Sequence, residues 1–283
     1  MNWFEKIIAF MQTTMEKPTL YGWFHLISLA LIIGGVVLVC FTCRKISDKK
    51  FRIILLSMSC VLLLLEVFKQ LNFAYDAKTD TWDYAWKQFP FQFCSVPMYV
   101  ALVVACLKEC KFRDYLCCFL ATFGLFAGLI VMIYPSTVLS EIIFRTSQSF
   151  IHHGFMIIIG VLMFVSGKVK IEHKTILKAI PVFSILVILA FLINIIYHST
   201  GCQDSFNMFY IGPYSKCDIP VLAQIGEVLN IDSEKIGFGN FLFVVIYIIG
   251  FALASYLILL VAMLIKLIVN KAKKKREKEI VEK

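Results

Sequence analysis

Seven long apolar runs, separated by short polar connectors, dominate the hydropathy pattern of the chain. A membrane-spanning helix needs about 20 mostly apolar residues, and each run is close to that length. The runs lack the strict alternation of membrane barrel strands. The pattern therefore predicts an all-α, polytopic membrane helix bundle with about seven transmembrane helices. The predicted helices are 21–41, 51–71, 89–107, 115–139, 146–166, 179–197 and 238–265.

Prolines refine the ends of two predicted helices. Pro90 and Pro97 fall in the first third of the third run. Proline suits the first turn of a helix, so we expect the regular part of this helix to begin near Pro97. The residue before a proline resists the helical conformation. The fourth helix is therefore expected to end near Pro135.

Basic residues lie mainly on one side of the predicted bundle. Most of the 28 Lys and Arg residues are in the first, third and fifth connectors and in the segment after the last helix. Because Lys and Arg favour the cytosolic side, this distribution predicts an outer N-terminus and a cytosolic C-terminus. An even number of helices would put the basic tail opposite the basic connectors, so the charges independently support seven.

The two ends of the chain differ from the part between them. Apolar residues recur at helical spacing from Trp3 to Met11, so we interpret residues 1–20 as an interfacial amphipathic N-terminal segment, with a short cap packed over the bundle as the alternative. Residues 21–267 form the predicted seven-helix transmembrane domain. Residues 268–283 form a basic cytosolic tail, which either faces anionic lipid headgroups or only fixes the topology.

Composition excludes several other classes of protein. Of the 283 residues, 60% are apolar and 17% charged, with a mean hydropathy of +0.82, whereas soluble domains have about 25% charged residues. The net charge of +9 comes from the connectors and the tail, so it indicates topology and no nucleic-acid partner. The chain shows no nucleotide-binding loop and no zinc motif. We expect a multi-pass protein of the cell membrane without a metal or cofactor.

Polar side chains from five helices fall at one depth, just below the predicted outer boundary. Ionisable residues in membrane helices are costly and are functional candidates by default. Each one alone could equally serve to join helices by a hydrogen bond, but the shared depth predicts a polar pocket open to the outer leaflet. Two of them, Glu66 and Lys69, are three residues apart and can pair. The group comprises His25, Glu66, Lys69, Gln70, Gln92, Cys94, Gln148, His152, His153, Asn194 and His198.

Cys94 and His153 offer the sharpest chemistry within this group. The thiolate is the reactive form of cysteine, and a nearby imidazole can generate it. Such a pair suits acyl transfer, in which cysteine attacks an ester, a thioester forms and a second nucleophile collects the acyl group. On spacing alone, inert packing of a buried cysteine remains the alternative.

Five segments resemble the YwaF-like family of bacterial membrane proteins, from the first helix to the last outer loop. That family in turn resembles the eukaryotic transmembrane protein 164, a cysteine-dependent phospholipid acyltransferase. More distantly it is similar to multi-pass lipid hydrolases that use a threonine and a histidine. The segments are YGWFHLISLAL (21–31), FPFQFCSVPMYVAL (89–102), FGLFAGLIVMIYP (123–135), SFIHHGFMIIIG (149–160) and INIIYHSTGCQDSFNMFYIGPY (193–214).

The resemblance implies roles for individual residues. The family's cysteine falls on Cys94 and its histidine before glycine on His153, which implies a nucleophile and a general base. Its first-helix histidine falls on His25, which would orient groups or help stabilise an oxyanion. The segment around the sixth helix matches at Asn194, Asn207 and Tyr210.

One position departs from the family pattern. The family usually has a histidine two residues before the cysteine, and Gln92 stands there in this chain. If that histidine activates the thiol in the family, His152 must substitute for it here. We therefore count Gln92 and His152, together with Glu66 and Lys69, among the residues that support the pocket.

The sequence thus predicts an intramembrane phospholipid acyltransferase that works through an acyl-thioester, with membrane phospholipids or lysophospholipids as partners. A lipid ester hydrolase, or a transporter or sensor without enzymatic activity, is the alternative. Cys202 and Cys217 lie in the last outer loop, where oxidising conditions let disulfides persist. They form a bridge around Asn207 and Tyr210 or lie too far apart to bond.

Overall fold

Long helices form nearly all of the regular structure in the computed structural model, which describes residues 1–201, 205–231 and 236–281. Six of the described helices are long and apolar enough to cross a membrane, and one further apolar helix is shorter. The prediction of an all-α, polytopic bundle is confirmed. The helices are α1 (Trp3–Phe10), α2 (Trp23–Thr42), α3 (Asp48–Ala74), α4 (Val96–Cys106), α5 (Lys111–Ile133), α6 (Ile143–Val165), α7 (Lys174–Ser199), α8 (Leu222–Val228) and α9 (Phe238–Val281).

The third predicted span is only partly helical, which corrects the expected boundary. Helix α4 has 11 residues, about 16 Å at 1.5 Å per residue, whereas the hydrocarbon core of a bilayer is about 30 Å thick. Pro97 lies in its first turn, as expected. Because a proline deeper in a helix removes a backbone hydrogen bond and clashes with the preceding turn, Pro97 favours a helix start at this point over one near Pro90. Residues 89–95 instead run irregularly into the bundle.

Helix α5 ends at Ile133, two residues before Pro135, as the proline rule predicted. Its centre departs from α-helical geometry. Residues Leu120–Gly124 form a π-helical segment, and all five are buried. Such segments are rare and often occur at functional sites. The apolar sequence gave no indication of this one.

Contacts between helix ends confirm that the connectors alternate between the two faces of the bundle. At the predicted outer face, Tyr21 Oη donates a hydrogen bond to the Ile133 carbonyl at 2.8 Å, which joins the start of α2 to the end of α5. At the opposite face, Arg52 Nε donates to the Ala105 carbonyl at 2.7 Å, which joins α3 to the end of α4. The basic connectors all lie at this second face, which we assign to the cytosol.

A cap covers part of the outer face. Strands β1 (Tyr75–Asp76) and β2 (Thr81–Trp82) form a small antiparallel hairpin after α3. Helix α1 begins with a capping box between Asn2 and Glu5, and Gln12 Nε2 then donates to the carbonyls of Asn72 and Tyr75 at 3.0 and 2.6 Å. One side of α1 packs inwards through Ile8, which is fully buried. The opposite side exposes Trp3, Ile7 and Phe10.

A cluster of aromatic side chains packs against the two segments that carry the candidate site. Phe183 of α7 stands between Phe93 and Tyr247, with ring centroids 5.3 and 6.2 Å away. Phe251 lies 4.4 Å from Tyr247 and 5.2 Å from Phe93. Phe209 completes the cluster at 5.8 Å from Phe93. Two irregular segments, 89–95 and 205–217, are thereby anchored to α7 and α9.

Candidate active site

The Gln92 side chain joins the two irregular segments. Its Oε1 accepts a hydrogen bond from the Phe209 amide at 2.8 Å, and its Nε2 donates to the Asn207 carbonyl at 2.9 Å. Irregular backbone is tolerated at membrane depth only where protein covers it and satisfies its polar groups. Gln92 satisfies one donor and one acceptor of the 205–217 loop in this way.

Two asparagines complete this set of bonds. Asn194 of α7 accepts from the Met208 amide at 2.7 Å and donates to the Met208 carbonyl at 2.9 Å. Asn207 accepts from the Gly212 amide at 2.7 Å and donates to the Lys216 carbonyl at 2.9 Å. Gln92, Asn194 and Asn207 thus hold the loop through six hydrogen bonds, and we refer to these three residues as the amide clamp.

The clamped loop contains two adjacent residues in the left-handed region. Phe209 has φ of 58° and Tyr210 has φ of 57°. Bulky side chains rarely adopt this conformation, which costs about 1–2 kcal/mol per residue. Such backbone persists only where the surroundings hold it, and it clusters at functional sites. The amide clamp provides that constraint here.

Cys94 lies two residues after Gln92 and is half-buried. The ring Nε2 of His152 hydrogen-bonds to the backbone carbonyl of Cys94 at 2.9 Å. This bond fixes the segment carrying Cys94 against α6. The structure therefore brings His152 and Cys94 together, through the backbone of the cysteine and not through its sulfur.

Both α6 histidines retain an unoccupied ring nitrogen. His153 Nδ1 hydrogen-bonds to the Ser149 carbonyl at 2.7 Å, and the two imidazole rings lie 5.5 Å apart. A carbonyl only accepts, so the bonded nitrogen of each ring carries the hydrogen and the other has a lone pair. These free nitrogens, His152 Nδ1 and His153 Nε2, are buried and have no partner among the described residues. Each can accept a proton.

The predicted pair of Glu66 and Lys69 is formed, with Lys69 Nζ 2.8 Å from Glu66 Oε1. Gln70 Nε2 donates to the same oxygen at 2.7 Å. The other oxygen, Oε2, is buried without a partner in the described part of the chain. The Lys69 ammonium interacts electrostatically with Cys94 and with both histidines. The paired Glu66 carboxylate interacts with Cys94 in the opposite sense.

Two tyrosines also reach this region. Burial raises the pKa of Tyr210, and nearby Cys94, Asp218 and Cys217 add to the rise, so its phenol stays protonated at neutral pH. Tyr247 is fully buried, its hydroxyl has no described partner, and it interacts electrostatically with Cys94 and Tyr210. Tyr247 could not be predicted from the sequence, because one tyrosine in the apolar last helix has no pattern that separates it from a packing residue.

Comparison with known protein families gives a match over most of the chain. A family model described as the TMEM164 family matches residues 20–263, which covers all the membrane helices except the projecting part of α9. The chain belongs to the TMEM164 family. Searches of the curated proteins and of the solved structures found no match.

In this TMEM164-family protein, His25 lies apart from the histidine pair of α6. Its Nδ1 accepts from the Tyr21 amide at 3.1 Å, and its Nε2 donates to the Met132 carbonyl at 2.9 Å. The ring is fully buried and packs 5.6 Å from Phe150. With both nitrogens occupied, His25 connects α2 to the end of α5.

The remaining cysteine prediction stays open in this family member. Cys217 is buried at the end of the clamped loop, where burial raises the pKa of its thiol. Cys202 lies outside the described residues, so the proposed bridge between them remains a prediction. No cluster of His, Cys, Asp and Glu suited to a metal ion occurs among the residues that the structure describes.

Two cavities flank the site of this TMEM164-family protein. A recess of about 570 Å³ opens at the outer face behind the amide clamp, where Asn194, Phe206 and Tyr214 line it. An apolar groove of about 350 Å³ lies between α2 and α6, lined by residues such as Trp23, Leu31 and Gly154. Cys94 lines neither cavity. The lining of the groove is mostly apolar.

Proposed function

We propose that this TMEM164-family protein is a phospholipid acyltransferase that carries the acyl group on Cys94 as a thioester. The observation that supports this most directly is the setting of Cys94. A half-buried thiol lies on a segment whose backbone is hydrogen-bonded to His152. His153 follows in the same helix with its ring 5.5 Å from that of His152, both imidazoles have a free lone pair, and Lys69 interacts electrostatically with the thiol. Nucleophile, base and cation are the groups that acyl transfer requires.

In the first half-reaction, His153 Nε2 takes the proton of the Cys94 thiol. The thiolate attacks the carbonyl carbon of a phospholipid ester, and a C–S bond forms. The C–O bond of the ester then breaks, and the lysolipid alkoxide takes the proton back from the imidazolium. His152 has a separate task in this scheme, because its Nε2 is already bonded to the Cys94 carbonyl. It orients the nucleophile.

In the second half-reaction, an acceptor hydroxyl gives its proton to His153 and attacks the thioester. A new C–O bond forms, the C–S bond breaks, and the thiolate recovers the proton from the imidazolium. Positive charge near the carbonyl oxygen favours both tetrahedral intermediates. Lys69, which interacts electrostatically with Cys94, supplies such a charge.

The location of the site favours a membrane lipid as substrate. Glu66, Lys69 and Cys94 lie near the outer ends of their segments, at the level that outer-leaflet headgroups and ester bonds occupy. The apolar groove between α2 and α6 offers a place for an acyl chain beside the helix that carries the histidines. We propose outer-leaflet phospholipids as donors and anionic headgroups of the inner leaflet as contacts of the basic tail.

Acyl labelling tests this proposal. Purified protein is incubated with phospholipid that carries a labelled acyl chain, and a hydroxylamine-sensitive adduct on Cys94 is sought by mass spectrometry. We expect the adduct in the native protein and none in Cys94→Ser. His153→Ala should form it about 10²-fold more slowly, as is typical for loss of a general base. Cys60→Ser is the matched control, because Cys60 is an exposed cysteine of α3.

The fate of the label separates the related activities. Transfer to added lysophospholipid identifies an acyltransferase, whereas release as free fatty acid identifies a lipid ester hydrolase. An adduct that persists in Cys94→Ser would rule out the proposed nucleophile. If folded native protein forms no adduct with any common phospholipid, the proposal fails, and transport or sensing should then be examined by flux measurements in vesicles.

A further inference from the structure

We propose that Gln92 is a positioning residue for the reaction at Cys94, acting through the strained loop that carries Tyr210. This inference rests on the proposed function. Gln92 touches neither a substrate nor the sulfur of Cys94. Its side-chain oxygen accepts from the Phe209 amide at 2.8 Å, and its side-chain nitrogen donates to the Asn207 carbonyl at 2.9 Å.

The first argument is the position of Gln92 between the two parts of the site. Cys94 follows it by two residues, and the Gln92 carbonyl accepts from the Ser95 amide at 2.8 Å in the turn that contains Cys94. Tyr210 follows Phe209, whose amide Gln92 binds. A shift of the Gln92 side chain would therefore change the spacing between Cys94 and Tyr210. Other contacts across this gap, such as that of Phe93 with Phe209, are apolar and less directional.

The second argument is the backbone strain at Phe209 and Tyr210. Two adjacent left-handed residues with bulky side chains relax unless several bonds hold them. Asn194 and Asn207 hold the residues on either side, at Met208 and Gly212. Only Gln92 among the described side chains binds the amide of Phe209 itself. Without Gln92 the strained turn would lose the bond at its centre.

The hydrogen bonds of the amide clamp limit which side chains can replace Gln92. The loop requires one donor and one acceptor from residue 92, and an uncharged amide offers both. A neutral imidazole also offers one of each. Methionine has a similar length and volume but provides neither with comparable strength. A comparison of glutamine, histidine and methionine at position 92 therefore distinguishes the contribution of these hydrogen bonds from that of side-chain packing.

The experiment compares Gln92→Met, Gln92→His and the control Gln12→Met. Gln12 is a matched control, because its amide also makes two hydrogen bonds to backbone, at the carbonyls of Asn72 and Tyr75, but lies in the cap next to α1. The measurements are the single-turnover rate of Cys94 acylation at varied lipid concentration and the alkylation rate of Cys94 relative to Cys60. Amide hydrogen exchange of the 205–212 region and thermal unfolding complete the set.

We expect Gln92→Met to lower the maximal acylation rate about tenfold or more, since small displacements of reacting groups have effects of this size. The lipid concentration at half-maximal rate should stay the same, and the relative alkylation rate of Cys94 should change. Gln92→His should keep the maximal acylation rate and the relative alkylation rate of Cys94 close to those of the native protein. Gln12→Met should lower the unfolding temperature and leave the reactivity of Cys94 unchanged.

If Gln92→Met and Gln12→Met changed the acylation and alkylation rates of Cys94 equally, the inference would be overturned, and Gln92 would only stabilise the fold. So would a Gln92→His variant that behaves like Gln92→Met while its exchange remains native. Alkylation and hydrogen exchange do not depend on acyl transfer. If the native protein forms no thioester, these two measurements still decide whether Gln92 positions Cys94, so failure of the proposed function is distinguishable.

Discussion

Four polar atoms buried around Cys94 have no partner in the described part of the chain: Glu66 Oε2, His152 Nδ1, His153 Nε2 and Tyr247 Oη. An unsatisfied buried polar group costs about 1–3 kcal/mol, and native proteins contain few of them. Their concentration in one place therefore lowers the stability of the fold. This is the expected condition of a site whose groups are kept free for a substrate.

Replacing Tyr247 with phenylalanine should therefore stabilise the protein. The Tyr247→Phe variant keeps the ring stacked 4.4 Å from Phe251 and removes the unpartnered hydroxyl. We expect the free energy of unfolding to rise by about 1 kcal/mol, measured by thermal unfolding in detergent. Tyr256→Phe is the control, since its hydroxyl is hydrogen-bonded to His173 at 2.6 Å and its loss should bring no gain. A less stable Tyr247→Phe would mean that the hydroxyl has a partner.

Depth along the helices predicted part of the site, because depth can be counted from the sequence at 1.5 Å per residue. It grouped Glu66, Lys69, Cys94 and the two α6 histidines; in the structure Lys69 pairs with Glu66 and interacts electrostatically with the other three residues. Depth does not show which neighbouring helix a side chain faces. His25 has the same depth, yet it faces the end of α5. Similarly, no local pattern could reveal that Gln92 binds a loop residue 117 positions away.

At the scale of helices, glycines on both sides let α5 and α6 pack closely, and Gly128 of α5 is one of them. A Cβ atom at Gly128 would lie 2.8 Å from the His153 carbonyl oxygen and 3.1 Å from the Ile157 amide nitrogen. Both are backbone atoms of α6, so no change of side-chain rotamer can relieve this clash. Gly128 therefore sets how closely the helix that bears the histidines approaches α5.

We expect Gly128→Ala to force the two helices apart. Overpacking of this kind costs about 1–3 kcal/mol, which thermal unfolding would report, and acylation of Cys94 should slow because His153 moves. Gly34→Ala in α2 is the control. No atom lies within 4 Å of its added Cβ, so it should be neutral or stabilise the helix by about 1 kcal/mol. Equal effects of the two substitutions would contradict this account of the interface.

The apolar spans were predictable, but the irregular parts within them were not. Helical, π-helical and irregular segments in a membrane share the same apolar composition, since all must face lipid or apolar protein. Hydropathy therefore did not distinguish residues 89–95 from a helix, nor Leu120–Gly124 from the rest of α5. Pro97 and Pro135 gave the correct helix limits, because proline acts on the backbone directly.

At the scale of the molecule, an ionic network joins several helices at the face that carries the basic connectors. Asp48 Oδ1 is 2.8 Å from Arg113 Nη2 and 2.7 Å from Lys168 Nζ. Arg113 is buried, and its Nε and Nη1 have no hydrogen-bond partner among the described residues. Asp48 is thus the carboxylate that holds this guanidinium, and it connects α3, α5 and the connector after α6.

Asp48→Asn should destabilise the protein, because it leaves a buried guanidinium without its counter-charge. We expect a loss of about 1–3 kcal/mol, towards the lower end for a partly exposed carboxylate. Unfolding in detergent would measure it. Asp114→Asn is the control, since the pair of Asp114 with Lys178 is more exposed and such pairs contribute about 0–1 kcal/mol. If both variants lose the same stability, the network does not hold the helices as described.

The length of α9 has a consequence for the basic tail. The helix has 44 residues, about 66 Å at 1.5 Å per residue, which is roughly twice the thickness of the hydrocarbon core. Lys266 still reaches the Ile171 carbonyl at 3.5 Å, and the helix then advances about 22 Å further to Val281. Physiological salt screens charges over about 8 Å. If the helix stands upright, its last turns lie further than this distance from Lys266, so the proposed contact of the basic tail with anionic headgroups requires the helix to tilt.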